Sequence, residues 1–229
     1  MPCACMVSVT APSEPNALIS LARVAASSSP GRRAAVAALD LAGVCLAAPR
    51  EAVSGDAWSA VVDGPRAHLV MADGLGHGSD AARAADAAID TFERAPEADP
   101  AGLLERIHAA LRGLRGAAVV LLDCDAGHGQ LTLHGAGNIA VRLVSGTEER
   151  SLMTPHGTVG LQIRRAPVQQ QAWGEHALVI VHSDGIATRW TLADTPALLR
   201  CPAVVVAAWI LHMHMRGRDD ATVVVLRRC

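Results

Sequence analysis

The chain contains no tyrosine, a single phenylalanine and four tryptophans among its 229 residues. Hydrophobic residues still make up 51% of the sequence, so the core must consist mainly of alanine, valine and leucine. Excess basic charge is missing as well, because the formal net charge is -2. Without that excess the chain lacks the electrostatic footprint of a nucleic-acid-binding protein.

Long apolar runs and targeting patterns are missing too. The longest apolar run, Ala203 to Leu211, is too short to span a bilayer. The N-terminus has no basic start followed by an apolar run and a cleavage site. Six cysteines at positions 3, 5, 45, 124, 201 and 229 form no C-x-x-C pair, which argues against zinc and favours a reducing compartment. We expect a cytoplasmic protein with no membrane partner.

The N-terminal part differs in composition from the rest. Residues 1–35 are rich in proline, serine and alanine and include the run ASSSPGRR. We predict a low-complexity N-terminal tail over residues 1–35, with a short helix near Ala17–Ala26. The remaining residues, 36–229, are predicted to form one domain.

Within that domain, strand and helix patterns are typical of an α+β protein with mainly antiparallel strands. Strands are predicted for LAGVCLAA, WSAVVDGPRAHLVMA (a hairpin turning at Asp63-Gly64-Pro65), AAVVLLD, GQLTLHG, NIAVRLVS, HALVIVH and ATVVVLRR. Helices are predicted from an N-cap at Ser79, from Pro100 to about Arg112, and near Pro202–Met215. The glycine-rich links CDAGHG and GAG are short, which predicts antiparallel neighbours on either side of each.

Carboxylates recur at the ends of these predicted strands. Asp56 precedes a strand in SGDAW, Asp73 and Asp184 follow strands in VMADG and VHSDG, and Asp219-Asp220 precede the last strand in GRDDATVVV. If the strands are neighbours, these acids crowd together and repel each other, and cations relieve that repulsion. A ligand set of oxygens favours Mg²⁺ or Mn²⁺. Two such ions can lower the pKa of a shared water and direct it at phosphorus.

The motifs SGDAW, ADGLGHG, GAGN, HSDGI and RDDATVVVL occur in the order found in metal-dependent protein phosphatases of type 2C. The sequence most resembles the bacterial SpoIIE branch and, within it, the compact RsbX-like serine/threonine phosphatases, over about residues 39–229. The resemblance implies two antiparallel sheets sandwiched between helices, with a two-metal site at one edge. It implies hydrolysis of phosphoserine or phosphothreonine, on a STAS-domain anti-sigma antagonist in a stress-response switch.

The resemblance also implies roles for individual residues. Asp73 would bridge both metals, and the Gly74 carbonyl would bind one of them. Asp184 and Asp219 would hold the other metal, and Asp56 would act on the first directly or through water. Asp73 and Asp184 are therefore the predicted catalytic residues, with Asp220 as the alternative to Asp219.

One departure from the family pattern leaves the proton donor open. Many type 2C enzymes carry histidine directly after the bridging Asp-Gly, where this chain has Leu75, and the nearest histidine is His77. The SpoIIE branch commonly shows this altered loop, so the change does not indicate an inactive protein. Arg50 is the candidate for binding the phosphate group.

Two other functions fit part of the pattern. DGLGHG also resembles the D-x-G-x-G box of histidine-kinase-like ATPases, including anti-sigma kinases, but that fold requires an asparagine-bearing helix upstream and leaves Asp184 and Asp219 unexplained. A phosphatase-shaped module that binds phosphoproteins without cleaving them is the other alternative. Three outcomes distinguish these functions. Manganese-dependent hydrolysis of an aryl phosphate indicates the phosphatase, ATP binding indicates the ATPase, and neither activity indicates the non-catalytic module.

Overall fold

The computed structural model describes residues 18–24, 39–163 and 167–228. These residues form eleven strands, three α-helices and one 3-10 helix. In chain order the elements are β1 (Leu18–Val24), β2 (Leu39–Leu46), β3 (Asp56–Asp63), β4 (Arg66–Gly74), α1 (Ser79–Glu93), α2 (Pro100–Ala110), β5 (Ala117–Asp125), β6 (Gln130–Ala136), β7 (Ala140–Val144), β8 (Glu149–Leu152), β9 (Gln169–Ala172), β10 (Leu178–His182), the 3-10 helix (Pro196–Arg200), α3 (Ala203–His214) and β11 (Ala221–Arg228).

Two antiparallel sheets pack face to face. One has the strand order β1-β2-β11-β10-β7-β8, and the other has the order β3-β4-β5-β6-β9. A core of alternating residues from both sheets fills the space between them, and it includes Trp58, Met71, Val120, Val181 and Val224. Helices α1 and α2 cover the outer face of the five-stranded sheet, and α3 covers the six-stranded sheet. The predicted α+β sandwich of two antiparallel sheets between helices is confirmed.

Helix α1 shows how alanine compensates for the scarcity of large aromatic side chains. Ala81, Ala84, Ala85 and Ala88 are fully buried on one face. Small side chains let the helix lie so close to the sheet that a Cβ on Gly74 would overlap the Ala81 carbonyl. The helix begins at Ser79 with Gly78 as its N-cap and no capping side chain, so the predicted N-cap at Ser79 is wrong by one residue. Gly78 takes that position because its φ is 74°, which favours glycine.

Two further predictions are wrong. Leu18–Val24 form a strand paired with β2, not the helix predicted near Ala17–Ala26, because the free edge of β2 offers backbone partners to an apolar segment. The GAG link does not join antiparallel neighbours, since β6 lies in the five-stranded sheet and β7 in the six-stranded one. The domain boundary at residue 36 stays a prediction, and the remainder of residues 1–35 lies outside the described residues.

Among the described residues no helix is long and apolar enough to cross a membrane.

Candidate metal centre

The antiparallel topology brings several strand ends to one end of the sandwich. β3 begins where β4 finishes, since Asp56 pairs with Asp73. In the other sheet β11 begins where β2 and β10 finish, since Ala221 pairs with Leu46 and the Ser183 N–H donates to the Thr222 carbonyl at 3.1 Å. A carboxylate placed at any of these ends is therefore located at the same end of the sandwich.

Residue parity explains why the acids face inward. Side chains two residues apart on a strand share a face. Asp56 shares its face with Trp58, and Asp73 shares its face with Met71; both of these hydrophobic residues belong to the core between the sheets. Asp220 lies four residues before Val224 of β11, so these two residues also share a face. The acids thus continue the inner faces of their strands beyond the apolar core.

Asp56 and Asp73 are the most strongly perturbed acids of this cluster. Burial, together with the neighbouring negative charges, raises the pKa of Asp73 to about 9. These charges belong to Asp56, Asp184, Asp219 and Asp220. Burial also raises the pKa of Asp56 to about 7, although the nearby Ser183 and Thr222 hydroxyls counteract part of that effect. The five predicted acids therefore lie at the same end of the sandwich, close enough for their charges to interact.

Asp184 lies just beyond β10, where Asn138 contacts it. The Asn138 side-chain amide donates to Asp184 Oδ2 at 2.7 Å. Burial raises the pKa of Asp184, and the negative charge of Asp219 raises it further, whereas Arg216 and Asn138 oppose the shift. Asn138 is a site residue that the sequence reasoning did not single out, although the GAGN motif contained it.

The adjacent acids of RDD differ in their surroundings. Asp220 is buried, and its Oδ1 accepts the Ala48 N–H at 2.8 Å. Asp219 is exposed, and its Oδ1 accepts the Asp220 N–H at 3.0 Å. Asp220 therefore binds the 47–55 loop, and its charge acts on Asp56 and Asp73. The Asp219 charge acts on Asp73 and Asp184.

The loop after Asp73 is fixed by backbone contacts on both sides. The Gly74 N–H donates to the Gly55 carbonyl at 2.9 Å, and the Leu75 N–H donates to the Gly116 carbonyl at 3.0 Å. Arg115 lies against the same loop, with its Nη1 3.0 Å from the position that a Cβ on Gly76 would occupy. Its guanidinium is also paired with Asp80 at 3.3 Å. Arg115 is thus a cation beside the Asp73–Gly78 loop that the sequence reasoning missed.

The two remaining candidate residues lie at the margin of the cluster. His77 is exposed, and its Nδ1 faces Glu51 Oε1 at 2.7 Å. Arg50 is an exposed turn residue with a φ of 74°, an unusual backbone conformation for a residue with a side chain. No hydrogen bond or ion pair found among the described residues joins either side chain to the five acids.

The donor set suits a hard divalent cation. Both Asp56 carboxylate oxygens and Asp220 Oδ2 are buried without a hydrogen-bond partner in the described part of the chain. Buried carboxylate oxygens without donors are costly unless a cation or proton satisfies them. No three acidic, imidazole or thiol side chains of the described residues converge closely enough to enclose an ion. Ion binding here would therefore also use the Gly74 carbonyl and water, as Mg²⁺ commonly does.

Comparison with known proteins identifies the family. The sequence model of stage II sporulation protein E (SpoIIE) matches residues 63–229. The chain belongs to the SpoIIE family. This match covers β4 to β11 and therefore most of the acid cluster, while Asp56 lies just before it.

Individual relatives agree with this family membership. Phosphoserine phosphatase RsbX of Bacillus subtilis (strain 168) is 26% identical over 137 residues, which are 59% of this chain and 69% of RsbX. A chain solved in work on the bacterial stressosome, a modular system adapted to control secondary messenger signalling, is 28% identical with a TM-score of 0.77, covering 82% of this chain and 99% of that one. RsbX in complex with magnesium has a TM-score of 0.74 at 22% identity, covering 83% and 96% of the two chains. The fold of this SpoIIE-family chain is therefore that of the type 2C phosphatases, and the histidine-kinase-like ATPase alternative is wrong.

Proposed function

We propose that this SpoIIE-family protein is a phosphoserine/phosphothreonine protein phosphatase that depends on two Mn²⁺ or Mg²⁺ ions. The observation that carries the proposal is the set of five acids at one end of the sandwich, with buried Asp56 oxygens that have no hydrogen-bond partner in the described part of the chain. Such a set binds divalent cations through oxygen. The phosphatase name of the relative RsbX and the magnesium in the RsbX structure support the same function.

In this proposal four of the five acids have a place at the two ions. Asp73 lies centrally, since Asp56, Asp184 and Asp219 all act on its pKa, and it would contact both ions. Asp56 and the Gly74 carbonyl would complete one ion site, and Asp184 and Asp219 the other. When bound, the ions supply Lewis acidity and an activated water for attack on phosphorus. Asn138 would orient Asp184, and Arg115 would attract the phosphate group to the Asp73–Gly78 loop.

The substrate that we propose is a phosphorylated STAS-domain regulator in a bacterial stress-response switch. RsbX is named a phosphoserine phosphatase, and one structural relative comes from work on the stressosome. Both relationships support a phosphoprotein in a signalling complex as the substrate. Recognition of a protein and not of a nucleic acid also agrees with the net charge of -2.

Metal-dependent phosphate release tests this proposal. The full chain is incubated with p-nitrophenyl phosphate and with phosphorylated STAS proteins, after chelation and after return of Mn²⁺ or Mg²⁺. We expect turnover only with the added ions, and Asp73→Asn to abolish it. Turnover that persists after exhaustive chelation would exclude the two-metal site, and phosphoprotein binding without turnover would favour the non-catalytic alternative.

A further inference from the structure

Two exposed leucines flank the loop that follows Asp73. The side chain of Leu75 is 52% exposed, and that of Leu161 is 59% exposed. Single exposed leucines are ordinary on protein surfaces and need no explanation. These two differ because Leu75 lies two residues from Asp73 and Leu161 lies on the other side of Gly116, which the Leu75 backbone contacts.

Gly116 lies between the two leucines and contacts both chain segments. The Leu75 N–H donates to the Gly116 carbonyl at 3.0 Å. On the other side, the Leu161 Cγ lies 3.3 Å from the position that a Cβ on Gly116 would occupy. A side chain at position 116 would collide with the Val159 carbonyl and the Thr158 side chain and would press on Leu161, and the φ of 82° favours glycine as well.

The sheet register fixes the distance between the leucines. Ala117 pairs with Gly74 on one side and with Val159 on the other. The chain segments that carry Leu75 and Leu161 are therefore separated by two strand spacings. Two spacings amount to about 10 Å between backbones. An extended peptide advances about 3.4 Å per residue, so three residues cover the same distance.

We propose that Leu75 and Leu161 form a docking surface for an apolar side chain of the phosphoprotein substrate, located within three residues of the phosphorylated one. The inference rests on the phosphatase function proposed above, because Leu75 directly follows Gly74 of the ion site. A phosphoserine bound at the acids would carry its flanking residues across this surface. The leucines offer those residues apolar area, whereas the centre of the site offers only charge and polar groups.

The surface on α3 provides a matched control. Val205 is 43% exposed, and it lies near the N-terminus of α3, where the Ala203 N–H donates to Asp40 on β2 at 2.9 Å. Asp40 pairs with Arg227, at the end of the six-stranded sheet opposite to Asp220 and Ala221. Val205→Ala therefore removes exposed apolar area of the same kind at a distance from the acids.

A peptide series tests the docking surface. One phosphoserine peptide carries a single leucine at each position from −3 to +3 in turn, and the reference peptide carries serine at all of these positions. For each protein variant the readout is the ratio of kcat/KM for a leucine peptide to kcat/KM for the reference. This ratio is internal to each variant, so a change in overall turnover does not affect it.

We expect the wild-type protein to prefer leucine at one or two positions by about fivefold or more. Leu75→Ala and Leu161→Ala should each reduce that preference severalfold, and the double variant should remove it, whereas Val205→Ala should leave it unchanged. Melting curves confirm that the variants fold. Equal kcat/KM for all peptides in the wild-type protein, or a preference retained in the double variant, would overturn the docking surface. Absence of any metal-dependent hydrolysis, of peptides or p-nitrophenyl phosphate, would instead overturn the proposed function.

Discussion

Asp56 and Asp73 face each other as register partners across the β3–β4 hairpin. Directly opposed residues on an antiparallel pair share a face, with Cβ atoms about 5 Å apart, and like charges in this position are destabilising. Burial raises the pKa of both carboxyls, and the Asp56 charge adds to the shift of Asp73. In the function proposed above, the pair would lower the stability of the metal-free fold and favour the binding of cations.

Replacing Asp73 should separate function from stability. We expect Asp73→Asn to abolish most phosphatase turnover and to raise the unfolding free energy of the metal-free protein by about 1–3 kcal/mol, since a buried, repelled carboxyl is removed. Asp63→Asn, at the exposed opposite end of β3, is the control and should change neither. Urea unfolding in the presence of a chelator, with parallel assays in Mn²⁺, measures both effects. Near-normal turnover of Asp73→Asn would exclude Asp73 from the active site.

The two acids of RDD should respond differently to alanine. Asp219→Ala is expected to raise the Mn²⁺ concentration for half-maximal activity and to cut turnover by orders of magnitude, because its charge acts on Asp73 and Asp184. Asp220→Ala should cost about 1–3 kcal/mol of stability, since the Ala48 N–H loses its acceptor. Metal titrations and melting curves of both variants decide the assignment. The reverse pattern would move the metal ligand to Asp220.

Asn138 should act through Asp184. Because its amide donates to Asp184 Oδ2, Asn138→Ala is expected to weaken metal binding by about tenfold to a hundredfold, as loss of a residue that orients a ligand commonly does. Asn138→Ser retains a donor and should recover part of the affinity. Gln170→Ala, which removes an exposed amide on β9, serves as the control. Calorimetric titration with Mn²⁺ measures the affinity, and unchanged binding in Asn138→Ala would show that the contact has no effect on the ion.

Arg115 and Arg50 are competing candidates for the phosphate contact. We expect Arg115→Ala to raise KM for p-nitrophenyl phosphate about tenfold or more with a smaller change in kcat, because a charge-assisted hydrogen bond is lost. Arg115→Lys should be intermediate. Arg83 also pairs with Asp80, at 3.7 Å, so Arg83→Ala controls for the loss of that ion pair. If Arg50→Ala raises KM and Arg115→Ala does not, the contact belongs to Arg50.

His134 predicts a specific acid sensitivity of the fold. Burial beneath α2 lowers the pKa of His134, while Asp99 opposes the shift. The unfolded chain therefore binds this proton more readily, so the stability due to His134 is complete above about pH 6.5 and decreases as the pH falls below it. We expect His134→Gln to reduce the loss of stability between pH 7.5 and pH 5, and the exposed His176→Gln to leave it unchanged. The urea midpoints at the two pH values measure this loss of stability. An equal shift of the midpoint in the wild-type protein and both variants would contradict the role of His134.

Much of this molecule could be predicted from the sequence because its signals are local. The Asp-Gly pairs after apolar runs marked the ends of β4 and β10, and strand parity then required the acids to face the core. The contact of Asn138 with Asp184 spans 46 residues, and that of Ala48 with Asp220 spans 172, so no local pattern indicated either. The strands β8 and β9, with sequences ERSL and QQQA, are polar and lack the alternation that reveals a half-buried strand.

The GAG link shows a second reason for error. A short glycine-rich connection is compatible with a hairpin and equally with a step from one sheet to the other, and only tertiary packing separates the two. Here Gly137, with a φ of 120°, turns the chain out of β6 and leads it to Asn138 and then into β7 of the other sheet. The sheet change is what carries Asn138 to Asp184.

The buried ring of Trp58 gives the fold a mechanical property that the list of ligands does not reveal. It lies between the sheets, on β3, and it occupies the space that a Cβ on Gly43 of β2 would need. Asp56 and Asp73 belong to strands of one sheet, whereas Asp184 and Asp219 lie next to strands of the other. In the proposed ion site, the gap between the two halves would therefore depend on the thickness of an indole ring located two residues from Asp56. A methyl group added at Gly43 would push the two sheets apart. We expect this change to alter the selectivity between ions of different radius, although no ligand residue is replaced.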